Sequence, residues 1–220
     1  MTLLAELNAL ALGLFIISTI AMTVTRQIGA CMQIFIAQSL LLAASAFLLG
    51  VVPFSWHLFA LGGVTIASKA IVIPWLLRAL IPQAVYGRRE LPQAIDIPMA
   101  LLVALALTFV GYAFAQHLVH AAANLSAGNI SIGFAGLLVG MLLLAVRIEA
   151  LPQLLGILAM ENAAFLAGIA IAPDFPLIAE LAIAFDVPLL AFIVALLTRI
   201  AYKRMGTTEI GALSTLKEQQ

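Results

Sequence analysis

The 220-residue sequence contains very little charge. Asp, Glu, Lys and Arg together make up only 9% of it, whereas soluble domains contain about 25%. Apolar residues make up 65%, against about 45–50% in soluble domains, and the mean hydropathy is +1.19. So few charged side chains cannot cover the surface of a water-soluble domain. The composition therefore predicts an integral membrane protein surrounded by lipid.

Several kinds of site are excluded by what the sequence lacks. Cys31 is the only cysteine, so an internal disulfide and a Cys/His metal cluster are ruled out. Ten basic residues balance ten acidic ones, with no basic patch that contains aromatics and no Gly-rich phosphate loop. The amino terminus, MTLLAELNAL, has no positive charge before its apolar run and does not resemble a cleaved signal peptide. We expect no metal, no cofactor and no nucleic-acid partner.

Polar residues divide the chain into seven apolar segments, each long enough for a membrane-spanning helix, which needs about 17–25 residues. The predicted helices cover residues 3–24, 28–51, 56–83, 97–119, 131–147, 151–172 and 177–202. The predicted fold class is therefore all-α, a polytopic membrane protein with about seven transmembrane helices.

Basic residues lie on one side of this seven-helix arrangement. Nine of the ten, all except Lys69, fall on the side that also holds the carboxyl-terminal tail. Six helices would instead scatter the basic loops over both sides. By the positive-inside rule the basic side is cytoplasmic. We predict a multi-pass protein of the inner (plasma) membrane, with its amino terminus outside and its carboxyl terminus in the cytoplasm.

The first and last three helices show a weak internal repeat. Each triplet has a lone arginine after its first helix, a polar residue within its second and an ionisable residue within its third. These residues are Arg26, Gln38 and Lys69, then Arg147, Glu161 and Asp186. One intervening helix makes the repeat parallel. The predicted units are a three-helix unit (1–84), a basic cytoplasmic loop with a connecting helix (85–125), a second three-helix unit (126–203) and a cytoplasmic tail (204–220).

Three ionisable residues lie deep inside the predicted helices, away from their ends: Lys69, Glu161 and Asp186. Glu161 and Asp186 are each about ten residues from the start of their helices, which places them near the middle of the bilayer. A charge at that depth costs several kcal/mol, and such residues mark ion paths. Two carboxyls that share a proton beside Lys69 would form a proton relay. The alternative is a structural polar pair, or a neutral carboxyl that hydrogen-bonds to a neighbouring helix.

Two prolines lie close to these residues. Pro74 follows Lys69 by five positions and Pro188 follows Asp186 by two. Inside an α-helix each would free the carbonyl four residues earlier, beside the path, although proline is also common in membrane helices generally. Four glycines are predicted to be close-packing positions: Gly62, Gly63, Gly156 and Gly168.

The stretch RIEALPQLLGILAMENAAFLAGIA (147–170), followed by LIAELAIAFDVPLLAFIVALL, resembles the small K-type subunit of respiratory complex I and the C subunit of the Mrp antiporter. Over nearly its whole length, the chain is similar to the hydrogenase-4 component E family. The motifs that carry this similarity are ASKAIVIPWLL around Lys69, ILAMEN ending in Glu161 and Asn162, IAFD around Asp186, and GTTEIGALSTLK in the tail.

The resemblance implies a membrane subunit without a redox centre of its own, in a complex I-like assembly such as formate hydrogenlyase or another group 4 hydrogenase. Its partners would be antiporter-like and quinone- or ion-module membrane subunits. The helix carboxylates of the K-type subunit correspond here to Glu161 and Asp186. Two positions depart from that pattern, because Asp186 replaces the usual Glu and Gln38 stands where the first triplet would have a carboxylate.

We therefore predict a subunit of an oxidoreductase complex with no catalytic residue of its own. Glu161, Asp186, Lys69 and Gln38 would lie along a proton or sodium path that is coupled to redox chemistry. Two alternatives stay open: a structural adaptor that bridges larger membrane subunits, and a stand-alone transporter of a small solute.

Overall fold

The computed structural model describes residues 2–52, 54–81, 92–119, 127–171 and 188–200. These residues form seven helices and one isolated β-bridge, between Gln93 and Arg147. The helices are α1 (Thr2–Val24), α2 (Ile28–Val51), α3 (Trp56–Leu80), α4 (Ile97–Val119), α5 (Ala127–Val146), α6 (Ala150–Ile171) and α7 (Pro188–Ile200). The predicted all-α class is confirmed.

Helices α1 to α6 are long and apolar enough to cross a membrane, and the described part of α7 is a shorter apolar helix. The chain is therefore a multi-pass membrane protein. The predicted bounds lie within a few residues of the observed ones, except that α5 begins at Ala127 rather than at 131. The sequence placed Asn129 in a loop because it is polar, but this residue is fully buried inside the helix bundle. The predicted seventh helix, 177–202, lies partly outside the described residues.

The helices differ in how much of their surface is buried. Helix α5 packs against α1, α4 and α6, while α2 packs against α1, α3 and α6. In α5 and α6, 56% of the membrane-spanning window is buried, whereas in α4 only 17% is. Helices α2, α5 and α6 therefore form the interior of the bundle, and α4 lies at its edge.

The largest apolar cluster joins the start of α2, the end of α3, the start of α6 and part of α7. Its members include Ile28, Met32, Phe35, Ile73, Leu77, Leu154, Leu158, Ala191 and Ala195, all nearly fully buried. Burial of apolar side chains at this density favours close helix packing, because dispersion contacts replace contacts with lipid. Ala191 and Ala195 bring α7 into the same cluster.

Helix α3 contains a π-helical segment, Ile66–Val72, between two α-helical parts. In a π-helix the backbone hydrogen bond spans five residues, and the N–H of Ile73 donates to the carbonyl of Ser68 in this way. Pro74 is the second residue of the α-helical part that follows. Pro74 thus lies next to the junction of the π segment and the α-helical part. The carbonyl that it would free beside the path stays a prediction.

The π segment keeps one face of α3 directed into the bundle. Thr65, Lys69, Ile73 and Leu77 are all buried, and they recur every four residues. An ordinary α-helix has 3.6 residues per turn, so a four-residue repeat would drift off one face over three intervals. The wider π turn corrects that drift, and Lys69 consequently shares its face with the apolar residues of the core.

Glycine allows close helix contact at several crossings. A Cβ added at Gly133 would lie 2.7 Å from the backbone N of Ala167 and 2.8 Å from the carbonyl oxygen of Ala163. The predicted close packing is confirmed at Gly62 and Gly156, which contact Phe47 and Leu144. The prediction of close packing is wrong at the other two glycines, Gly63 and Gly168, where a Cβ would meet no atom within 4 Å.

Replacing Gly133 by alanine should destabilise the bundle, because the added methyl would contact rigid backbone rather than a side chain that can move. We expect a loss of about 1–3 kcal/mol, typical of overpacking. Gly13→Ala is the matched control, since a Cβ there meets no atom within 4 Å. It should be neutral or stabilising by up to about 1 kcal/mol. Thermal unfolding in detergent measures both, and equal melting temperatures would contradict the close crossing.

Candidate functional site

Polar side chains inside the apolar bundle form three layers. One layer lies at the start of α5, around Asn129, and another directly after α5, around Arg147. We call these the Asn129 end and the Arg147 end of the bundle. The third layer lies between them and contains Lys69 of α3 and Glu161 of α6. Because lipid offers no hydrogen-bond partner, each layer must be satisfied within the protein.

The middle layer contains a buried ion pair. The Nζ of Lys69 lies 2.9 Å from Oε1 of Glu161, and the side chains are 5% and 19% exposed. Neither atom has a further hydrogen-bond partner within the described part of the chain. Glu161 lies near the middle of α6, and Lys69 lies in the π segment of α3. Two opposite charges in contact reduce the cost of holding either one inside a bilayer.

An aromatic ring completes the surroundings of Lys69. The Nζ atom lies 5.0 Å from the ring centre of Phe165, within the range of a cation–π contact. Phe165 follows Glu161 by four residues, so both side chains project from the same face of α6. The ring also packs against the apolar cluster that contains Leu61 and Leu166, which fixes its position.

A hydrogen-bonded network connects the helix of Glu161 to α1 and α2. Asn162 donates from Nδ2 to Oε1 of Gln38 (3.2 Å) and to Oγ of Ser39 (3.0 Å). Gln38 in turn donates from Nε2 to Oγ1 of Thr19 (2.7 Å), and all four side chains are fully buried. The buried Oδ1 of Asn162 has no hydrogen-bond donor among the described residues. One polar acceptor next to Glu161 in the sequence is therefore unused.

The layer at the Asn129 end is a closed ring of three hydrogen bonds. Asn8 donates to Oδ1 of Asn129 (2.8 Å), Asn129 donates to Oγ of Ser45 (2.7 Å), and Ser45 donates to Oδ1 of Asn8 (2.7 Å). The three residues come from α1, α5 and α2 and are almost completely buried. Each bond joins two helices, so this ring fixes the relative positions of all three.

At the other end, Arg147 closes the carboxyl terminus of α1. It is 2% exposed, and its Nη2 donates to the carbonyl oxygens of Met22 (2.8 Å), Thr23 (3.3 Å) and Thr25. The last carbonyls of a helix lack partners within it, and a cation near them also interacts favourably with the helix dipole. Burial lowers the pKa of the guanidinium, but an arginine remains charged in proteins. Arg147 therefore joins α1 to the junction between α5 and α6.

The structure brings three of the sequence-predicted site residues into one cluster. Lys69 contacts Glu161 directly, and Gln38 contacts Asn162, the residue after Glu161. Asp186 lies outside the described residues, so its approach to Glu161 stays a prediction. Pro188 is the first residue of the described part of α7, so the carbonyl that it would free lies outside the described chain as well.

Sequence reasoning missed Phe165, the Asn8–Ser45–Asn129 ring and the cap that Arg147 provides. Asn8 and Asn129 carried a weak signal, since each is an amide within or beside an apolar run. Phe165 carried no such signal, because nothing in the sequence distinguishes it from the other aromatic residues of the apolar helices. Within the described chain, no group of three or more His, Cys, Asp or Glu residues could hold a metal ion.

Comparison with known proteins identifies one distant relative and no family. No protein-family model matches the chain, and no solved structure matches it. A protein of Mycobacterium tuberculosis (strain ATCC 25618 / H37Rv) named "Uncharacterized protein Rv0085" is 25% identical over 152 residues, which cover 69% of each chain. That name assigns no activity to the relative.

Removing one member of the ion pair should cost more than removing both. Lys69→Met leaves the Glu161 carboxylate without its ionic partner. Glu161→Met likewise leaves the Lys69 ammonium without its ionic partner. We expect each single variant to lose about 3–5 kcal/mol, and the double variant to lie within about 1 kcal/mol of the unchanged protein. Thermal unfolding in detergent measures the cycle, with Arg78→Met, an exposed residue of α3, as control. Additive losses would contradict a coupled pair.

Proposed function

We propose that this protein is a membrane subunit, without a redox centre of its own, of a complex I-like respiratory assembly such as a group 4 hydrogenase. In that assembly it contributes to a path for protons, or for sodium ions, that is coupled to electron transfer elsewhere. The single observation that carries the proposal is the contact between Lys69 and Glu161 inside the membrane-spanning bundle.

A structural role alone does not require charge at this position. A pair of apolar side chains would pack at least as well, because a buried ion pair must first be removed from water. The carboxylate of Glu161 can accept a proton, and the ammonium of Lys69 can stabilise the carboxylate when the proton leaves. Ionisable groups inside membrane proteins generally belong to ion or proton pathways. The contact therefore supports a site that alternates between two protonation states.

The surroundings of the pair suit such a site. The side chain of Glu161 retains 19% exposure, although its Oε1, which contacts Lys69, is buried. The unused acceptor Oδ1 of Asn162 is available to a proton donor. Asp186 is the second carboxyl that the proposal requires, and the membership of Ala191 and Ala195 in the same apolar cluster as Leu154 and Leu158 of α6 supports it. We also propose that the protein lies in the inner membrane, with its carboxyl terminus in the cytoplasm.

The resemblance to hydrogenase-4 component E and to the K-type subunit supplies the identity of the assembly. It rests on the motifs around Lys69, Glu161 and Asp186, and the partners are antiporter-like and quinone- or ion-module subunits. We propose these partners, and a proton or a sodium ion as the coupled ion, on the basis of this resemblance.

A structural adaptor is the second candidate, favoured by a different observation. Gln38, Asn8, Ser45 and Asn129 all donate or accept hydrogen bonds that join helices. Polar residues used in this way stabilise helix association without conducting ions. An adaptor would need that rigid bundle but not the ionisation of Glu161.

Glu161→Gln in the assembled complex separates the two candidates. The amide keeps the size of the side chain but cannot take up or release a proton. We expect ion translocation per electron to fall at least tenfold while the complex still assembles. The control is Glu6→Gln, which changes an exposed acid near the amino terminus and should leave translocation unchanged. Translocation is measured as pH or sodium change in proteoliposomes. Unchanged translocation in Glu161→Gln would reject the conducting role, and loss of assembly alone would favour the adaptor.

Purification in a mild detergent tests the proposed assembly. We expect the protein to co-purify with larger membrane subunits and with a redox module that contains iron–sulfur clusters and, for a hydrogenase, nickel. Metal analysis and visible absorbance of the preparation measure this. An isolated monomer or homodimer that transports a small solute would contradict the proposal and support the stand-alone transporter.

A further inference from the structure

We infer that Phe165 is a positioning residue that holds the Lys69 ammonium in place while Glu161 is protonated. The inference deepens the proposed function and rests on it, because it requires that Glu161 exists in two protonation states. Its basis is a contact that the ion pair alone does not explain: the Nζ of Lys69 faces both a carboxylate and an aromatic ring of the same helix.

The geometry gives the ammonium two partners on one face of α6. Glu161 and Phe165 are separated by one helical turn, and Lys69 reaches both from α3. The backbones of α3 and α6 are not closely packed there; the long side chain of Lys69 crosses the gap between two helices that both pack against α2. Lys69 therefore depends on its contacts with α6 for its position, since its Nζ has no other hydrogen-bond partner in the described chain.

The two partners respond differently to a proton. When Glu161 gains one, its carboxyl becomes neutral and the attraction between full charges is lost. The face of the Phe165 ring keeps its partial negative charge in both states, so it continues to attract the ammonium. A cation–π contact is stronger when it is removed from water, and the side chain of Lys69 is only 5% exposed. Once the carboxyl is neutral, the ammonium is no longer held at Oε1 and can move closer to the ring, so the cation–π contact stabilises the protonated state of Glu161 more than it stabilises the ion pair.

Other charged groups do not face this pair from the neighbouring helices that the structure describes. Helices α2 and α5 contain no charged residue, Glu6 of α1 and Arg78 of α3 are exposed, and Arg199 lies at the far end of α7. The polar neighbours on α2, Gln38 and Ser39, are uncharged. Asp186 lies outside the described residues and is unchanged in every variant below.

Infrared spectroscopy of the purified full-length chain tests the inference. The protonated carboxyl band of Glu161 is assigned by its loss in Glu161→Gln and is followed as the pH is lowered. In Phe165→Leu we expect that band to reach half its height at a proton concentration about threefold to tenfold higher than in the unchanged protein, because the cation–π contact that is lost stabilises the protonated state more than the ion pair. Phe165→Trp keeps an aromatic face and should titrate within about threefold of the unchanged protein.

Phe109→Leu makes the same chemical change on the exposed face of α4 and should leave the titration unchanged. If Phe165→Leu does not fold, Phe165→Met replaces it, because methionine fills a similar volume without a ring. Equal titrations in the unchanged protein and Phe165→Leu would overturn the inference, as would equal shifts in Phe165→Leu and Phe165→Trp. Normal ion translocation in Glu161→Gln, together with the expected titration shift, would instead reject the proposed function and leave the role of Phe165 intact.

Discussion

The interior of this bundle is governed by one constraint: lipid offers no hydrogen bonds and no ionic partner. A polar side chain within the spans must find its partner inside the protein, either in a carbonyl of its own helix, as Ser68 and Thr108 do, or in another helix. The three polar layers follow from this requirement, and so does the order of the helices around them. The Asn8–Ser45–Asn129 ring connects three helices at one end, and Arg147 connects α1 to the α5–α6 junction at the other.

The middle layer differs from the other two because its charged groups form an ion pair between a lysine and a glutamate of two helices. The end layers satisfy backbone or amide groups with neutral donors or with an arginine that never titrates. In the middle, a lysine and a glutamate contact each other, one side of the pair is partly exposed, and an acceptor on Asn162 has no donor among the described residues. Under the proposed function, layers held by hydrogen bonds on either side of the ion pair would let a proton move without movement of the helices.

Much of the helical architecture was predictable from the sequence, but individual contacts were not. Long apolar runs separated by polar residues predicted the helices because the thickness of a bilayer sets their length. The start of α5 was misplaced because a polar Asn129 looks like a loop until its partners on α1 and α2 are known. The π segment before Pro74 was not predicted, because no local pattern distinguishes an α-helical turn from a π turn. Gly63 and Gly168 look like Gly62 and Gly156 in the sequence, and only the neighbouring helices distinguish them.

The sequence by itself determined that this is a helical membrane protein and that Lys69, Glu161 and Asp186 are the ionisable residues deep within its predicted spans. Both conclusions follow from composition and spacing, which depend on local properties of the chain. Only the tertiary structure decided that Lys69 pairs with Glu161, that Gln38 reaches Asn162, and that the ring of Phe165 faces the ammonium. These contacts join residues more than 90 positions apart, and they depend on how the helices rotate and pack, which no local pattern specifies.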